Sequence, residues 1–165
     1  MASSALHLKA KQVLAACRRR GLKLATAESC TGGLIAATLT EIAGSSDVLE
    51  RGFVTYSNEA KTELVSVSED IIARDGAVSE KVARAMAEGA LEHARADIAV
   101  SATGVAGPGG GTPTKPVGLV HLACARRGGE TLHRRMMFKG NRAAVRRQSV
   151  ETAFRLVLQQ ARTAR

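Results

Sequence analysis

The sequence predicts an α/β fold, a three-layer sandwich with a mixed central β-sheet and helices on both faces. Helix and strand patterns alternate along the 165 residues, with no long linker, repeat or low-complexity block between them. The segment Asp97 to Ala102 is almost continuously apolar, which is typical of a strand covered on both faces. A chain of this length is the size of one ordinary domain, so a single domain over residues 1–165 is expected.

Apolar periodicity and helix-ending residues define the elements of the first half. The predicted order is a helix over 4–20, a strand over 24–27, a helix over 34–42 and a strand over 51–56. Gly21 stops the first helix, and Asn58 is expected to cap a further helix that begins at Glu59. Gly76 then breaks the pattern.

The second half continues the alternation of helices and strands. The predicted order is a helix over 79–93, a strand over 97–102, a loop over 103–116, strands over 117–125 and 131–138, and a helix over 142–160. Arg127, Gly128 and Gly129 form a hairpin signal between the last two strands. Asn141 is expected to cap the final helix.

Composition and charge limit the classes of function. Aromatic residues make up only 2% of the chain, so a nucleic-acid surface based on stacked bases has almost nothing to stack on. The net charge of +9 comes from residues 126–165, which hold 11 Arg or Lys and two Glu. A solvated helix face is the favoured interpretation, with a phosphate site or weak nucleic-acid attraction as alternatives. We therefore do not expect a nucleic-acid partner.

Cysteine usage and hydropathy predict a cytoplasmic protein. Cys17, Cys30 and Cys124 stand at wide spacings with no Cys/His cluster, so neither a metal site nor a disulfide framework is expected. An odd, sparse set of thiols suits a reducing compartment. Lysines interrupt the N-terminal segment, which lacks a signal-peptide pattern, and no stretch is apolar for long enough to span a membrane.

The turn over residues 28–33, between a predicted strand and a predicted helix, is the first candidate functional segment. Ser29 stands where the strand ends, and Gly32 and Gly33 allow the backbone to approach a ligand closely. Backbone N–H groups at a helix start hold a phosphate or a developing oxyanion. In the alternative interpretation, Ser29 or Thr31 is only a helix N-cap.

A second candidate segment supplies a base for this serine. A serine hydroxyl is a weak nucleophile unless a base removes its proton, and the four histidines are scattered away from the glycine-rich turns. Lys61 follows Asn58 in the first turn of a predicted helix, where burial and the helix N-terminus lower the pKa of an amine. The alternatives are that Lys61 is an ordinary solvated charge and that Tyr56 is a core residue with its hydroxyl at the rim.

The third candidate segment is a strand that runs into a glycine-rich loop. Thr103 and Gly104 follow the strand, and their backbone amides together with the Thr103 hydroxyl form a candidate anion site. By itself the pattern is weak, because it matches neither a phosphate-binding loop nor a dinucleotide-binding motif.

Six short motifs occur in a fixed order along the chain. They are A-E-S-C-T-G-G (27–33), F-V-T-Y-S-N-E-A-K (53–61), G-A-V-S-E (76–80), S-A-T-G-V-A-G-P (101–108), K-P-V-G (115–118) and G-N-R-A-A-V-R (140–146). Together they resemble the CinA C-terminal domain family of nicotinamide-nucleotide amidohydrolases, in its stand-alone form. The resemblance covers nearly the whole chain. It implies deamidation of nicotinamide mononucleotide to nicotinic acid mononucleotide, with release of ammonia and without a metal or other cofactor.

The resemblance also assigns the site residues. Ser29 corresponds to the nucleophile and Lys61 to the general base, and Tyr56 belongs to the same constellation. The candidate segments themselves, together with the start of the final helix, supply the expected substrate contacts, which are Glu28, Cys30, Thr31, Gly32, Gly33, Asn58, Thr103, Gly104 and Arg142. Family members usually self-associate, so a homodimer or larger homo-oligomer is expected. The role implied is recycling of pyridine nucleotides for NAD metabolism.

Alternatives stay open for several of these residues. Arg142 follows Asn141 at a helix start and is a candidate phosphate contact, and Arg146 lies four residues later on the same helix face. A salt bridge between Arg142 and Glu28 is equally plausible; otherwise Glu28 contacts the pyridinium ring or ribose. Cys30 is the rival nucleophile, disfavoured because no histidine is placed to pair with it. A non-catalytic, basic nucleic-acid-binding module is the rival from another class.

Overall fold

The computed structural model describes residues 3–163; the other four residues of the predicted domain lie outside the described part. The elements are α1 (Ser4–Arg19), β1 (Leu24–Glu28), α2 (Leu34–Thr40), a 3₁₀ turn (Ser45–Asp47), β2 (Leu49–Val54), α3 (Asn58–Val65), α4 (Glu69–Asp75), α5 (Glu80–Glu92), β3 (Ile98–Gly104), β4 (Leu119–Arg126), β5 (Leu132–Met137) and α6 (Arg142–Arg162). The alternating α/β order predicted from the sequence is confirmed.

The five strands form one mixed sheet in the order β2-β1-β3-β4-β5. β1 is parallel to β2 and to β3, whereas β4 is antiparallel to β3 and β5 is antiparallel to β4. The carboxyl ends of β1, β2 and β3 therefore lie at the same edge of the sheet, where open α/β sheets bind their ligands. This edge brings together the three glycine-rich or polar segments singled out from the sequence.

Helices cover both faces of the sheet, as predicted. Helices α1, α2 and α6 pack on one face, around a core that includes Leu24, Ile98 and Phe154. Helices α3, α4 and α5 pack on the other face, around Val65, Met86 and smaller alanines. β1 is buried along its whole length because helices cover both faces of the sheet, and this burial includes the polar Thr26 and Glu28.

The segment after β2 differs in detail from the prediction. Ser57, rather than Asn58, is the N-cap of α3: its hydroxyl accepts a hydrogen bond from the Ala60 N–H at 3.0 Å. α3 ends where Ser66 adopts a left-handed conformation with φ of 57°, and α4 follows after a new cap at Ser68. Glycine is the usual residue at such a helix end, so a serine at position 66 does not indicate the break.

Within residues 3–163, no helix is long and apolar enough to cross a membrane.

Candidate active site

A pocket of about 320 Å³ opens at the carboxyl ends of the three parallel strands. We call it the carboxyl-end pocket. It is lined by Ser29, Cys30, Tyr56, Asn58, Lys61, Ala77, Val78, residues 103–107, Gly109, Gly110 and Arg142. All three candidate segments from the sequence contribute to its wall.

Ser29 is placed by the tight turn between β1 and α2. Its backbone N–H donates to the Ala102 carbonyl of β3 at 2.9 Å, and its carbonyl accepts from the Gly32 N–H at 3.0 Å. Gly33 has φ of 102°, a left-handed conformation that favours glycine, and α2 starts at the next residue. Because the Ser29 N–H is already bonded to β3, this group is not free to stabilise an oxyanion.

The side chains of Ser29 and Lys61 meet inside this pocket. Lys61 Nζ lies 3.0 Å from Ser29 Oγ, although the residues are 32 positions apart in the sequence. Lys61 is only 1% exposed, and Ser29 is 9% exposed. Burial disfavours the charged ammonium and lowers the pKa of Lys61 below its usual range. A lysine that loses its proton more readily, next to a hydroxyl, is a suitable general base.

Backbone carbonyls fix the direction of the Lys61 amine. Nζ donates to the Thr55 carbonyl at 2.9 Å, and the carbonyls of Tyr56 and Ser57 lie at 3.3 and 3.4 Å. A neutral amine has two N–H donors and one lone pair. When the carbonyls accept the two N–H groups, the lone pair is left for the proton of the Ser29 hydroxyl. The segment that leads into α3 therefore positions the base through its main chain.

Tyr56 and Arg142 form the outer rim of the pocket. One Arg142 nitrogen donates to the Tyr56 hydroxyl at 3.2 Å, and another donates to the Gly107 carbonyl at 2.8 Å. Tyr56 is 60% exposed, so it is a rim residue and does not belong to the core. Arg142 is the first residue of α6, whose cap is Asn141, as expected. The rim thus presents a guanidinium near the positive end of a helix.

The remaining predicted residues in the pocket have different environments. Cys30 is buried next to Ser29, and burial raises the pKa of its thiol to about 11. A thiol with so high a pKa stays protonated at neutral pH, which makes Cys30 a poor nucleophile. The Thr103 hydroxyl donates to the Ala77 carbonyl at 2.8 Å and so holds two pocket walls together. Asn58 and Gly104 line the pocket directly.

Four residues predicted to contact substrate do not line the pocket. These are Glu28, Thr31, Gly32 and Gly33, which are absent from the lining. The Glu28 carboxylate is 1% exposed and accepts hydrogen bonds from the backbone N–H groups of Ile35 and Ala36 at 2.7 and 3.1 Å. Glu28 therefore makes no salt bridge with Arg142, and its side chain is not exposed to a substrate. The carboxylate instead binds the start of α2.

Sequence reasoning missed part of the site. Ala77, Val78 and residues 105–107 line the pocket, although the motifs that contain them do not mark them individually as site residues. Arg146 was grouped with Arg142 because of their helical spacing, yet its guanidinium points elsewhere. It donates to the Thr31 carbonyl, in the turn that carries Ser29, at 2.9 Å. A contact between residues 115 positions apart leaves no local signal in the sequence.

Comparison with known proteins gives the family of this chain. A profile of the CinA C-terminal domain matches residues 7–161. The chain belongs to the CinA C-terminal domain family. It is 52% identical over 160 residues to the nicotinamide-nucleotide amidohydrolase PncC of Escherichia coli K12, and the match covers 97% of each chain. It is 55% identical over 137 residues to a CinA-like protein of Akkermansia muciniphila, covering 83% of this chain and 33% of that protein.

Solved structures of the CinA family have the same fold. A competence/damage-inducible protein from Agrobacterium tumefaciens superposes with a TM-score of 0.95 at 46% identity, covering 96% of this chain and 97% of that one. A CinA superfamily protein from Escherichia coli superposes with a TM-score of 0.90 at 34% identity, covering 97% and 94% of the two chains. The three-layer α/β architecture is therefore that of the CinA family.

Proposed function

We propose that this chain is a nicotinamide-nucleotide amidohydrolase, which converts nicotinamide mononucleotide and water to nicotinic acid mononucleotide and ammonia. The observation that supports it most directly is the 3.0 Å approach of Lys61 Nζ to Ser29 Oγ in an open pocket. The names of the full-length relatives point to the same class of amide substrate.

The proposed chemistry proceeds through an acyl-serine. Ser29 Oγ adds to the carboxamide carbon while its proton passes to Lys61 Nζ, giving a tetrahedral oxyanion. The C–N bond then breaks as the Lys61 ammonium protonates the departing nitrogen, and ammonia leaves. Water, deprotonated by the neutral Lys61, attacks the acyl-serine and releases the carboxylic acid and the free Ser29 hydroxyl. The cationic pyridinium ring of the substrate withdraws electrons from the carbonyl and favours both attacks.

Oxyanion stabilisation falls to backbone amides other than that of Ser29, since the Ser29 N–H is bonded to Ala102. We assign this part to the backbone amide of Cys30, the next residue along the turn, because Cys30 is among the residues that line the pocket. Such preorganised donors stabilise charge that develops only in the transition state.

The rim of the pocket offers a site for the substrate phosphate, and the free thiols bear on the compartment of the reaction. Arg142 is proposed to bind the substrate phosphate, because its guanidinium is exposed at the pocket mouth. Cys17, Cys30 and Cys124 are all free and buried, which suits a reducing cytoplasm. In that compartment the reaction would return a nicotinamide nucleotide to NAD synthesis.

The test is to incubate the purified protein with nicotinamide mononucleotide without added metal and to measure ammonia and nicotinic acid mononucleotide. The wild type should form both products in equal amounts, and Ser29→Ala should lose about 10⁴-fold or more in kcat. Ser101→Ala is the matched control, because the buried Ser101 hydroxyl donates to the Ala83 carbonyl outside the pocket. A folded wild type that forms neither product would refute the proposed function.

A further inference from the structure

The turn that carries Ser29 is held from outside the pocket by two charged side chains. We call residues 28–34 the nucleophile turn. Within it, the Gly32 N–H donates to the Ser29 carbonyl and the Leu34 N–H donates to the Thr31 carbonyl, both at 3.0 Å. Two glycines with positive φ, at positions 32 and 33, make the turn possible. Such a turn is intrinsically mobile unless neighbouring groups hold it, because glycine has a wide range of accessible conformations.

Glu28 holds the start and the end of the nucleophile turn together. Its carboxylate accepts from the N–H groups of Ile35 and Ala36 in the first turn of α2. Its carbonyl accepts from the Thr55 N–H at 2.8 Å, and the Thr55 carbonyl in turn accepts from Lys61 Nζ. One residue therefore connects the turn of the nucleophile with the segment that orients the base.

Arg146 holds the middle of the nucleophile turn. Its guanidinium donates to the Thr31 carbonyl at 2.9 Å, and a Cβ built on Gly32 would lie 3.8 Å from the same nitrogen. Arg146 is half-buried and is absent from the pocket lining, so its position suits support of the turn better than contact with substrate. It also connects the turn to α6, the helix that begins at Arg142.

We propose that Glu28 and Arg146 are positioning residues that keep Ser29 Oγ within reach of Lys61 Nζ. The inference rests on the proposed function for its kinetic consequences but not for its structural basis. Loss of either contact would let the nucleophile turn shift, and a misplacement of about 1 Å can cost about 10²-fold in rate. KM should change much less than kcat, because neither side chain lines the pocket.

The test measures the reactivity of Ser29 without the nucleotide. Phenylmethylsulfonyl fluoride reacts with an activated serine: the Oγ–S bond forms, the S–F bond breaks, and the proton passes to the base as fluoride leaves. The rate of adduct formation at Ser29 is followed by mass spectrometry in Glu28→Gln and Arg146→Met. The matched controls are Leu39→Ala, which weakens the core under the same helix α2, and Arg147→Met, which removes the exposed neighbouring charge. Circular dichroism checks that all variants are folded.

We expect Glu28→Gln and Arg146→Met to react about tenfold or more slowly than their controls, with a similar loss of kcat on nicotinamide mononucleotide and little change in KM. Equal adduct rates for a variant and its control would remove that residue from the proposal. A raised KM with an unchanged adduct rate in Arg146→Met would identify a phosphate contact instead. A wild type that forms the adduct but does not hydrolyse the nucleotide would refute the proposed function alone.

Discussion

The two ends of the sheet each carry a pocket of similar size, but the charged groups of these pockets are used differently. The carboxyl-end pocket measures about 320 Å³. A second pocket of about 350 Å³, here called the amino-end pocket, lies where β1 and β3 begin. It is lined by Leu22, Asp97, Arg126, Arg127, Gly128, Gly129 and Thr163. Pocket volume therefore does not distinguish the two ends.

In the amino-end pocket the charged groups connect parts of the chain. Arg126 donates to the Gln160 carbonyl, and Arg127 donates to the Ala96 and Leu91 carbonyls. Asp97 accepts from the Lys23 N–H at 2.8 Å. None of these contacts places a base next to a nucleophilic hydroxyl. Both ends therefore contain a buried basic side chain, Arg126 at the amino end and Lys61 at the carboxyl end. Only at the carboxyl end does burial lower the pKa of an amine that lies 3.0 Å from a serine hydroxyl.

The largest expected effect separates the two ends directly. Lys61→Met should lower kcat by about 10³-fold or more, since it removes the general base and the group that protonates ammonia. Arg126→Met should leave kcat nearly unchanged and lower the free energy of unfolding by about 1–3 kcal/mol, because the Gln160 carbonyl loses the charged donor and keeps the Thr163 N–H at 3.2 Å. Steady-state kinetics of the two variants measure the effect on kcat, and urea unfolding measures the effect on the free energy of unfolding. A large loss of kcat in Arg126→Met would break the comparison.

The second expected effect is a pH dependence specific to the carboxyl end. Only the neutral amine of Lys61 accepts the serine proton, so kcat/KM should rise about tenfold per pH unit below the pKa of Lys61 and level off above it. Because burial lowers that pKa, the plateau should begin below the ordinary value of 10.5. A rate profile between pH 5 and pH 10 measures it. A rise that continues up to pH 10 would show that the amine is not desolvated.

The lowered pKa of Lys61 also makes the free energy of unfolding depend on pH, because the folded and unfolded states bind the Lys61 proton differently. The unfolded chain holds the Lys61 proton up to pH 10.5, whereas the folded chain releases it at lower pH. Between these two pKa values the unfolded state binds more protons, so folding stability gains from this group as the pH rises and loses as it falls. Lys61→Met should remove that contribution, and urea unfolding at several pH values detects the difference.

The third expected effect concerns the rim of the carboxyl-end pocket. Arg142→Ala should raise KM for nicotinamide mononucleotide by about 10- to 100-fold, the size expected for a charge-assisted contact to phosphate. KM for the dephosphorylated nucleoside should change little, so the discrimination between the two substrates should collapse. Arg147→Ala, an exposed arginine on the same helix, is the control for net charge. Unchanged discrimination in Arg142→Ala would exclude a phosphate role.

The sequence predicted the framework better than the supporting contacts. The β3 strand is recognisable from the sequence because both of its faces are covered, which produces an almost continuous apolar run over residues 97–102. The meeting of Ser29 and Lys61 follows from strand order, since their segments come after the adjacent parallel strands β1 and β2. Sequence periodicity specifies which elements form, and their parallel order places these segments at one edge.

Side-chain directions across the turn could not be predicted. Glu28 was expected to face the substrate, but the nucleophile turn brings the N–H groups of α2 back to its carboxylate. Arg146 reaches Thr31 only because α6 packs beside α2, a long-range contact with no local pattern. Local sequence indicates most helix ends, although not the cap at Ser57 or the break at Ser66, whereas such contacts depend on how the helices pack together.

The smallest expected effect tests whether a buried polar group matters only when it has a partner. Among residues 3–163, the Thr26 hydroxyl in β1 is buried without a hydrogen-bond partner, whereas the buried Thr38 hydroxyl in α2 donates to the Leu34 carbonyl at 2.6 Å. Thr26→Val should leave the free energy of unfolding unchanged or raise it by up to about 1 kcal/mol, because an unsatisfied hydroxyl is removed. Thr38→Val should lower it by about 1 kcal/mol, since a hydrogen bond is lost. Equal urea midpoints for the two variants would show that a hydrogen-bond partner does not govern the free energy of burying a hydroxyl. The contrast between the two ends of the sheet, which rests on what the buried polar groups contact, would then be weaker.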